Sequence, residues 1–263
     1  MISKPTIFIT GAASGIGRQT ALLFAKRNWF AGIFDLNEGG LLSLQAEVGE
    51  TNCCTETMDV ANPASVKAAV HSFAEATGGR MDVLFNNAGI AKMGPNEYIT
   101  LEDQHLTVDI NFKGILSCIH ASLPHLKQTP GSRIISMCSA SAIYGIPELA
   151  VYSATKHAVK ALTEALEIEL GKYGITVSDI LVPYVRTPLI TDAATKAFSV
   201  ERMGVRVEAV EVAETVWRAA HSRRLHWHMT ARLNLLRVLF WAFPFAKRNL
   251  IKSLAAPPEV SPR

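Results

Sequence analysis

Between Thr6 and Leu181, six short apolar runs of strand character alternate with five segments whose apolar residues recur at helical spacing. The strands read Thr6–Thr10, Phe30–Phe34 ending at Asp35, Thr55–Val60, Met81–Phe85, Arg133–Cys138 and Ile175–Leu181. The helices read Ile16–Asn28, Glu38–Val48, Ala64–Thr77, Leu101–Lys127 and Tyr152–Tyr173. Each strand is a nearly continuous apolar run, as a sheet buried on both faces requires. Strands joined by helical crossovers run parallel, so the pattern predicts an α/β fold: a doubly wound parallel sheet covered by helices on both sides. No repeat, low-complexity tract or proline- or serine-rich linker interrupts it. With 263 residues, 49% of them hydrophobic, the chain is read as a single domain.

The first strand joins the first helix through Thr10-Gly11-Ala12-Ala13-Ser14-Gly15-Ile16-Gly17. A turn there aims the free amides and positive dipole end of a helix at one point, and its glycines let the backbone come close to a bound group. The spacing is GxxxGxG and not the GxGxxG dinucleotide fingerprint, so the turn alone fits either a phosphate cradle or a plain tight turn. Asp35 adds context. It ends the second strand, where a carboxylate accepts hydrogen bonds from both ribose hydroxyls and repels a 2′-phosphate. Together these features predict a dinucleotide site that takes NAD over NADP.

Tyr152-Ser153-Ala154-Thr155-Lys156 is Tyr-x-x-x-Lys, and residues four apart on a helix share one face. A free phenol titrates near pH ~10, and a neighbouring ammonium lowers that value by favouring the phenolate. The pair reads as a proton-transfer unit, although the same spacing also arises by accident on helix surfaces.

On these residues the sequence resembles the short-chain dehydrogenase/reductase family in its NAD-dependent form, over most of Ile7 to Pro188. Asn86-Asn87-Ala88-Gly89 matches the family's Asn-Asn-Ala-Gly after the fourth strand, and Asp59-Val60 matches its adenine-contacting pair. Family members that use NADP tend to carry a basic residue at one of two places, which here are Ser14 and Leu36; this again favours NAD. Ser139, thirteen residues before Tyr152, matches the serine that hydrogen-bonds the substrate oxygen, a spacing that favours it over Ser141. Asn111 matches the asparagine that holds a water in a proton relay to the lysine; its other reading is a helix-kink residue.

The resemblance implies a Rossmann-like fold and hydride transfer between C4 of the nicotinamide and a carbinol or carbonyl carbon, without a metal. Catalysis falls to Asn111, Ser139, Tyr152 and Lys156, with Tyr152 moving the hydroxyl proton. Cofactor contacts fall to Gly11, Ser14, Gly15, Ile16 and Gly17 in the turn, to Asp35, Asp59 and Val60, to Asn87, Ala88 and Gly89, and to Tyr152, Lys156, Val185 and Thr187. It also implies that Leu101–Lys127 and Tyr152–Tyr173 pair across subunits in a homodimer or homotetramer.

One departure lies after the sixth strand. The family's Pro-Gly-x-Val-x-Thr stands here as Val182-Pro183-Tyr184-Val185-Arg186-Thr187, so the glycine position is Pro183, which lacks an amide donor and fixes φ. Tyr184 is read equally as a site-lining or a packing residue. Around Ser139 and Tyr152, Ile143, Tyr144, Ile146, Pro147 and Leu149 predict an apolar pocket with Glu148 as its one charge, and Leu189 to Gly204 reads as a substrate lid. The expected partner is therefore a hydrophobic small molecule, a secondary alcohol or ketone. The alternatives are a 3-oxoacyl thioester reductase, which Asp35 disfavours, and a non-catalytic NAD-binding scaffold, which the four catalytic positions disfavour.

Charge is divided unevenly: residues 1–200 hold 15 Lys/Arg against 18 Asp/Glu, whereas 201–263 hold 11 against 5, and no acid stands between Thr215 and Pro258. Basic residues interleaved with an apolar run favour a membrane surface or a partner over nucleic acid. Residues 1–230 are read as the dinucleotide-binding catalytic domain, with a seventh strand at Leu225–Thr230, and 231–263 as a basic, apolar, amphipathic extension of it. Leu233–Ala246 is too short to span a bilayer and holds Arg237 and Pro244. Three readings stand: a pocket lid or subunit contact, an in-plane membrane anchor, or a helix packed on the core.

Cys53, Cys54, Cys118 and Cys138 form neither a disulfide framework nor a metal box, and His226 and His228 have no acid or cysteine near them in sequence. No secretion signal precedes the first strand. The chain is expected to be reduced and cytoplasmic; peripheral contact at a membrane surface follows only under the anchor reading of its C-terminal segment.

Overall fold

The computed structural model describes residues 3–256; Met1, Ile2 and residues 257–263, the last part of the expected extension, lie outside the described residues. In chain order the elements are β1 (Thr6–Thr10), α1 (Gly15–Lys26), β2 (Phe30–Asp35), α2 (Glu38–Val48), β3 (Cys53–Thr57), α3 (Pro63–Thr77), β4 (Val83–Asn86), α4 (Leu101–Val108), α5 (Gly114–Gln128) and β5 (Arg133–Ser139). There follow α6 (Ala150–Gly171), β6 (Thr176–Val182), β7 (Val185–Arg186), α7 (Pro188–Thr191), α8 (Phe198–Met203), β8 (Val207–Glu208), α9 (Ala209–Ala219), β9 (His226–His228), α10 (Ala231–Ala242) and α11 (Lys247–Ala255). Seven strands form one parallel sheet in the order β3-β2-β1-β4-β5-β6-β9. β7 and β8 make a separate two-stranded pair. The expected doubly wound single-domain sheet is the observed one.

The continuous apolar runs are explained by the two cores. Ile7, Ile9 and Ile33 face α1, α2 and α9 through Phe24, Leu44 and Val216. Phe8, Phe30 and Phe34 face α3, α5 and α6 through Phe73, Ile119 and Val159. Phe8 stacks on Phe34 with ring centroids 4.2 Å apart, and Phe73 meets Phe8 edge-on at 5.4 Å. Gly32 makes room for that ring, since a Cβ there would stand 2.4 Å from Phe73 Cδ2.

Three elements depart from the sequence reading. The third strand is Cys53–Thr57 and not Thr55–Val60. As an edge strand it needs only one apolar face, and the Asp59 carboxylate turns the chain by accepting from the Ala61 amide at 2.9 Å. Met58 and Val60, whose hydrophobicity suggested strand, pack into the core from irregular backbone. The segment Leu101–Lys127 is helical throughout but is interrupted by a π-turn at Asp109–Lys113. The seventh strand is confined to His226–His228, paired with Asp179–Leu181.

Phe73→Ala removes the ring that closes this aromatic cluster and should cost about 3 to 5 kcal/mol of stability. The shift of the urea unfolding midpoint, at unchanged slope, measures it.

Candidate active site

β1 is flanked by β2 on one side and by β4 on the other, so the crossovers leave it in opposite directions and open a crevice above its carboxyl end. The glycine turn fills that crevice. Gly11 has φ +66°, and Gly17 sits so close to the turn that a Cβ would stand 2.2 Å from the Gly11 carbonyl oxygen. Ser14 occupies the N-cap of α1, yet its hydroxyl accepts no bond from the first turn, and that turn holds no acid. The positive end of the helix is thereby left to an anion, and a pyrophosphate fits it.

Thr10 and Asn87 fasten the turn to the neighbouring strand. Thr10 Oγ1 accepts from the Asn87 and Ala88 amides at 3.0 and 2.9 Å, and Asn87 Nδ2 donates to the Thr10 and Gly11 carbonyls, both at 2.9 Å. The Asp35 carboxylate accepts from the Ala13 amide at 3.0 Å and from the Asn37 amide at 3.0 Å, so it is held at the rim of the crevice. A cavity of about 320 Å³ runs from this turn past Asp59, Val60, Gly89, Val185 and Thr187 to Ser139, Tyr152 and Lys156. Fifteen of the seventeen residues singled out from sequence line it; the other two, Gly17 and Asn111, stand immediately behind the lining.

Ser139 ends β5, while Tyr152 and Lys156 lie one turn apart at the start of α6. Lys156 is buried; its Nζ donates to the Met137 carbonyl at 2.9 Å and lies 5.6 Å from the centre of the Tyr152 ring. Burial pushes the Tyr152 phenol above its ordinary value, and the Ser139 hydroxyl opposes that rise. Burial also lowers the Lys156 ammonium. At the phenol, burial thus outweighs the hydrogen bond from Ser139.

Asn111 sits in the π-turn, so its kink reading holds. Its side chain is also committed: Oδ1 accepts from the Ile90 amide and Nδ2 donates to the Ile90 carbonyl, each at 2.8 Å. A Cβ on Gly89 would lie 3.1 Å from Asn111 Oδ1 and 3.8 Å from Lys156 Nζ, so the two side chains converge behind Gly89.

The far end of the cavity is walled by Met93, Ile146, Leu149, Tyr184, Leu189 and Ile190, none of them charged. Glu148, expected as the pocket's one charge, instead turns to the first amide of α8, accepting from Phe198 at 2.6 Å. Tyr184 both lines the wall and packs within it; its hydroxyl lies 2.6 Å from Ser199 Oγ, and burial raises it to about 12. Pro183 also lines the cavity, and the chain beyond it is held by the β7–β8 pairing. Met93 was not anticipated. Its signal was the apolar character of Ile90, Ala91 and Met93 in a loop that directly follows Asn-Asn-Ala-Gly.

The C-terminal helices pack behind this wall. Phe240 meets Tyr144 edge-on at 5.3 Å, and Leu236, Leu250, Ile251 and Leu254 join the cluster that contains Met93, Ile146 and Ile190. At the other sheet edge, the fold supplies His226 with acids that its sequence neighbourhood lacks: Nδ1 lies 2.9 Å from Asp179 Oδ1 and Nε2 3.2 Å from Glu164 Oε1. Among the described residues no group of three or more His, Cys, Asp or Glu is arranged to hold a metal ion.

Comparison with known proteins agrees with this geometry. The family model described as short chain dehydrogenase matches residues 5–197. The chain is 31% identical over 214 residues to a cyclohexanol dehydrogenase of Acinetobacter sp. (strain SE19), spanning 78% of this chain and 84% of that one. It is 32% identical over 192 residues to the levodione reductase of Leifsonia aquatica, spanning 71% and 72%. Among solved structures, 3-ketoacyl-(acyl-carrier-protein) reductase from Brucella melitensis complexed with NADH superposes with a TM-score of 0.77 at 29% identity, covering 85% of this chain and 96% of that chain. The chain belongs to the short-chain dehydrogenase/reductase family of oxidoreductases.

Asn111→Ala would leave the half-buried amide and carbonyl of Ile90 without their side-chain partner and should lower stability by about 1 to 3 kcal/mol. Chemical denaturation of the parent and the variant checks this.

Proposed function

We propose that this protein is an NAD-dependent oxidoreductase that interconverts a hydrophobic secondary alcohol and its ketone, of steroid-like, aromatic or aliphatic kind. The observation that carries the reading is one cavity that joins Ser139, Tyr152 and Lys156 to an end walled by uncharged side chains. The names of the cyclohexanol dehydrogenase and levodione reductase relatives support the same substrate class.

The glycine turn, Asp35, Asp59, Val60, Asn87, Ala88, Gly89, Val185 and Thr187 hold the dinucleotide in this reading, with the Asp35 carboxylate selecting NAD. Bound NAD supplies the hydride acceptor at nicotinamide C4 and a positive charge beside the phenol. Ser139 Oγ holds the substrate oxygen, and the Tyr152 phenol takes the hydroxyl proton during oxidation or returns it during reduction. The Lys156 ammonium holds the nicotinamide ribose and favours the phenolate. Asn111 is a positioning residue in this reading: its bonds to Ile90 hold the Gly89–Ile90 backbone beside Lys156, and a relay water bound by Asn111 would connect to the lysine. We infer a homodimer or homotetramer paired through α4, α5 and α6, supported by the exposed Leu101, Leu116 and Ile168 on those helices.

A 3-oxoacyl thioester reductase is the second reading. The Brucella melitensis reductase favours it, because that relative is complexed with NADH and Asp35 therefore does not exclude such a substrate. Purified protein given NAD or NADP with a panel of secondary alcohols, and NADH with ketones and an acetoacetyl thioester, separates the two by the absorbance of reduced nicotinamide.

Tyr152→Phe should lower turnover by about 10²- to 10⁴-fold while leaving NADH binding, read by fluorescence, unchanged. Full activity in the variant would reject the proton-transfer role, and silence of the parent protein with every substrate would favour the scaffold. Asp35→Asn retains an acceptor for the Ala13 amide but loses the charge; kcat/KM with NAD should fall about 10- to 100-fold and the preference over NADP should narrow.

A further inference from the structure

Helix α10 is apolar on two opposite sides. Leu233, Leu236 and Phe240 are buried beneath it, whereas Leu235, Val238 and Trp241 on its outer side are 58%, 49% and 83% exposed. At about 100° per residue, those three outer residues span an arc of about 120°, with Arg232 and Arg237 on its two margins. Both arginines are exposed. Phe243 and Phe245 continue the apolar surface beyond the helix end, and Phe245 is 80% exposed. So many exposed aromatic and aliphatic side chains within eleven residues are ordinarily covered by something.

We propose that this face docks on an anionic lipid surface, with α10 lying in the plane of the interface. Its charge selects that occupant. Arg232, Arg237 and Arg248 are exposed in a stretch of sequence that holds no acid from Thr215 to Pro258. A second copy meeting the same face through a two-fold axis would bring these arginines against their equivalents. Anionic headgroups answer them, while the aromatic residues enter the boundary between headgroups and acyl chains. Spanning is excluded for α10: its 12 residues reach about 18 Å, short of the ~30 Å hydrocarbon layer. Among the described residues no helix is long and apolar enough to cross a membrane. Because the inner face of α10 packs behind the wall of the substrate cavity, docking would bring that end of the enzyme beside the lipid.

Binding to vesicles tests this without reference to turnover, so failure of the docking proposal and failure of the catalytic one are distinguishable. Full-length protein is sedimented with vesicles of phosphatidylcholine alone and of equal parts phosphatidylcholine and phosphatidylglycerol. The expected result is binding to the mixed vesicles, about tenfold weaker binding to phosphatidylcholine, and weakening by added salt. The double variant Trp241→Ala, Phe245→Ala, whose sites are both solvent-exposed, should keep its thermal unfolding curve and lose about tenfold in partitioning. Absence of binding to the mixed vesicles, or equal binding of the variant, would overturn the proposal. So would a variant that sediments in the ultracentrifuge, without vesicles, as a smaller oligomer than the parent, because a second copy would then be what covers the face.

Discussion

Everything at the site hangs on the fastening of two adjacent strand ends that are far apart in sequence. Thr10 Oγ1 accepts two amides from the Asn87–Ala88 peptide, and Asn87 Nδ2 returns two bonds to the Thr10 and Gly11 carbonyls. These four contacts satisfy polar groups that the parallel ladder releases where β1 and β4 end and the chain turns away. They also fix the height of the glycine turn, and through it the direction in which α1 points. The same peptide leads to Gly89 and Ile90, where Asn111 takes over and ties the loop to the π-turn. The glycine turn and the π-turn thus stand on one hydrogen-bonded frame, and Lys156 Nζ is tied separately to the Met137 carbonyl.

In the proposed reaction, the Tyr152/Lys156 pair rests on a contest between burial and charge. Tyr152 and Lys156 are each driven toward their neutral forms by desolvation, and Lys156 already bonds a backbone carbonyl. An apolar substrate end and a readily ionised phenol are therefore opposed demands. The same burial that suits a hydrophobic ligand raises the phenol, and in the proposed reaction the opposing charge would be that of bound NAD.

Much of this was legible in the residues, because a sheet covered on both faces leaves a plain mark: runs such as Ile7-Phe8-Ile9 with no polar alternation. The glycine turn, Asp35 and the Tyr152/Lys156 pair were legible for a related reason, since each sits at a fixed offset from a strand or helix end. What escaped depended on tertiary neighbours. The third strand was misplaced because Met58 and Val60 are buried without being in a strand. Glu148 was read as a pocket charge because its partner, the Phe198 amide, lies 50 residues away. The acids beside His226 come from β6 and α6, which no local window contains.

The π-turn carries a further implication. A regular helix through Asp109–Lys113 would need one residue fewer, and the residues of α5 would then rotate by about 100° relative to those of α4. Ile115, Cys118 and Ile119, now in the core, would leave it, and the side chain at position 111 would swing off Ile90. What this stretch encodes is therefore a length as much as a set of side chains. A relative that kept an asparagine here but lost one neighbouring residue would conserve the letter and forfeit the contact.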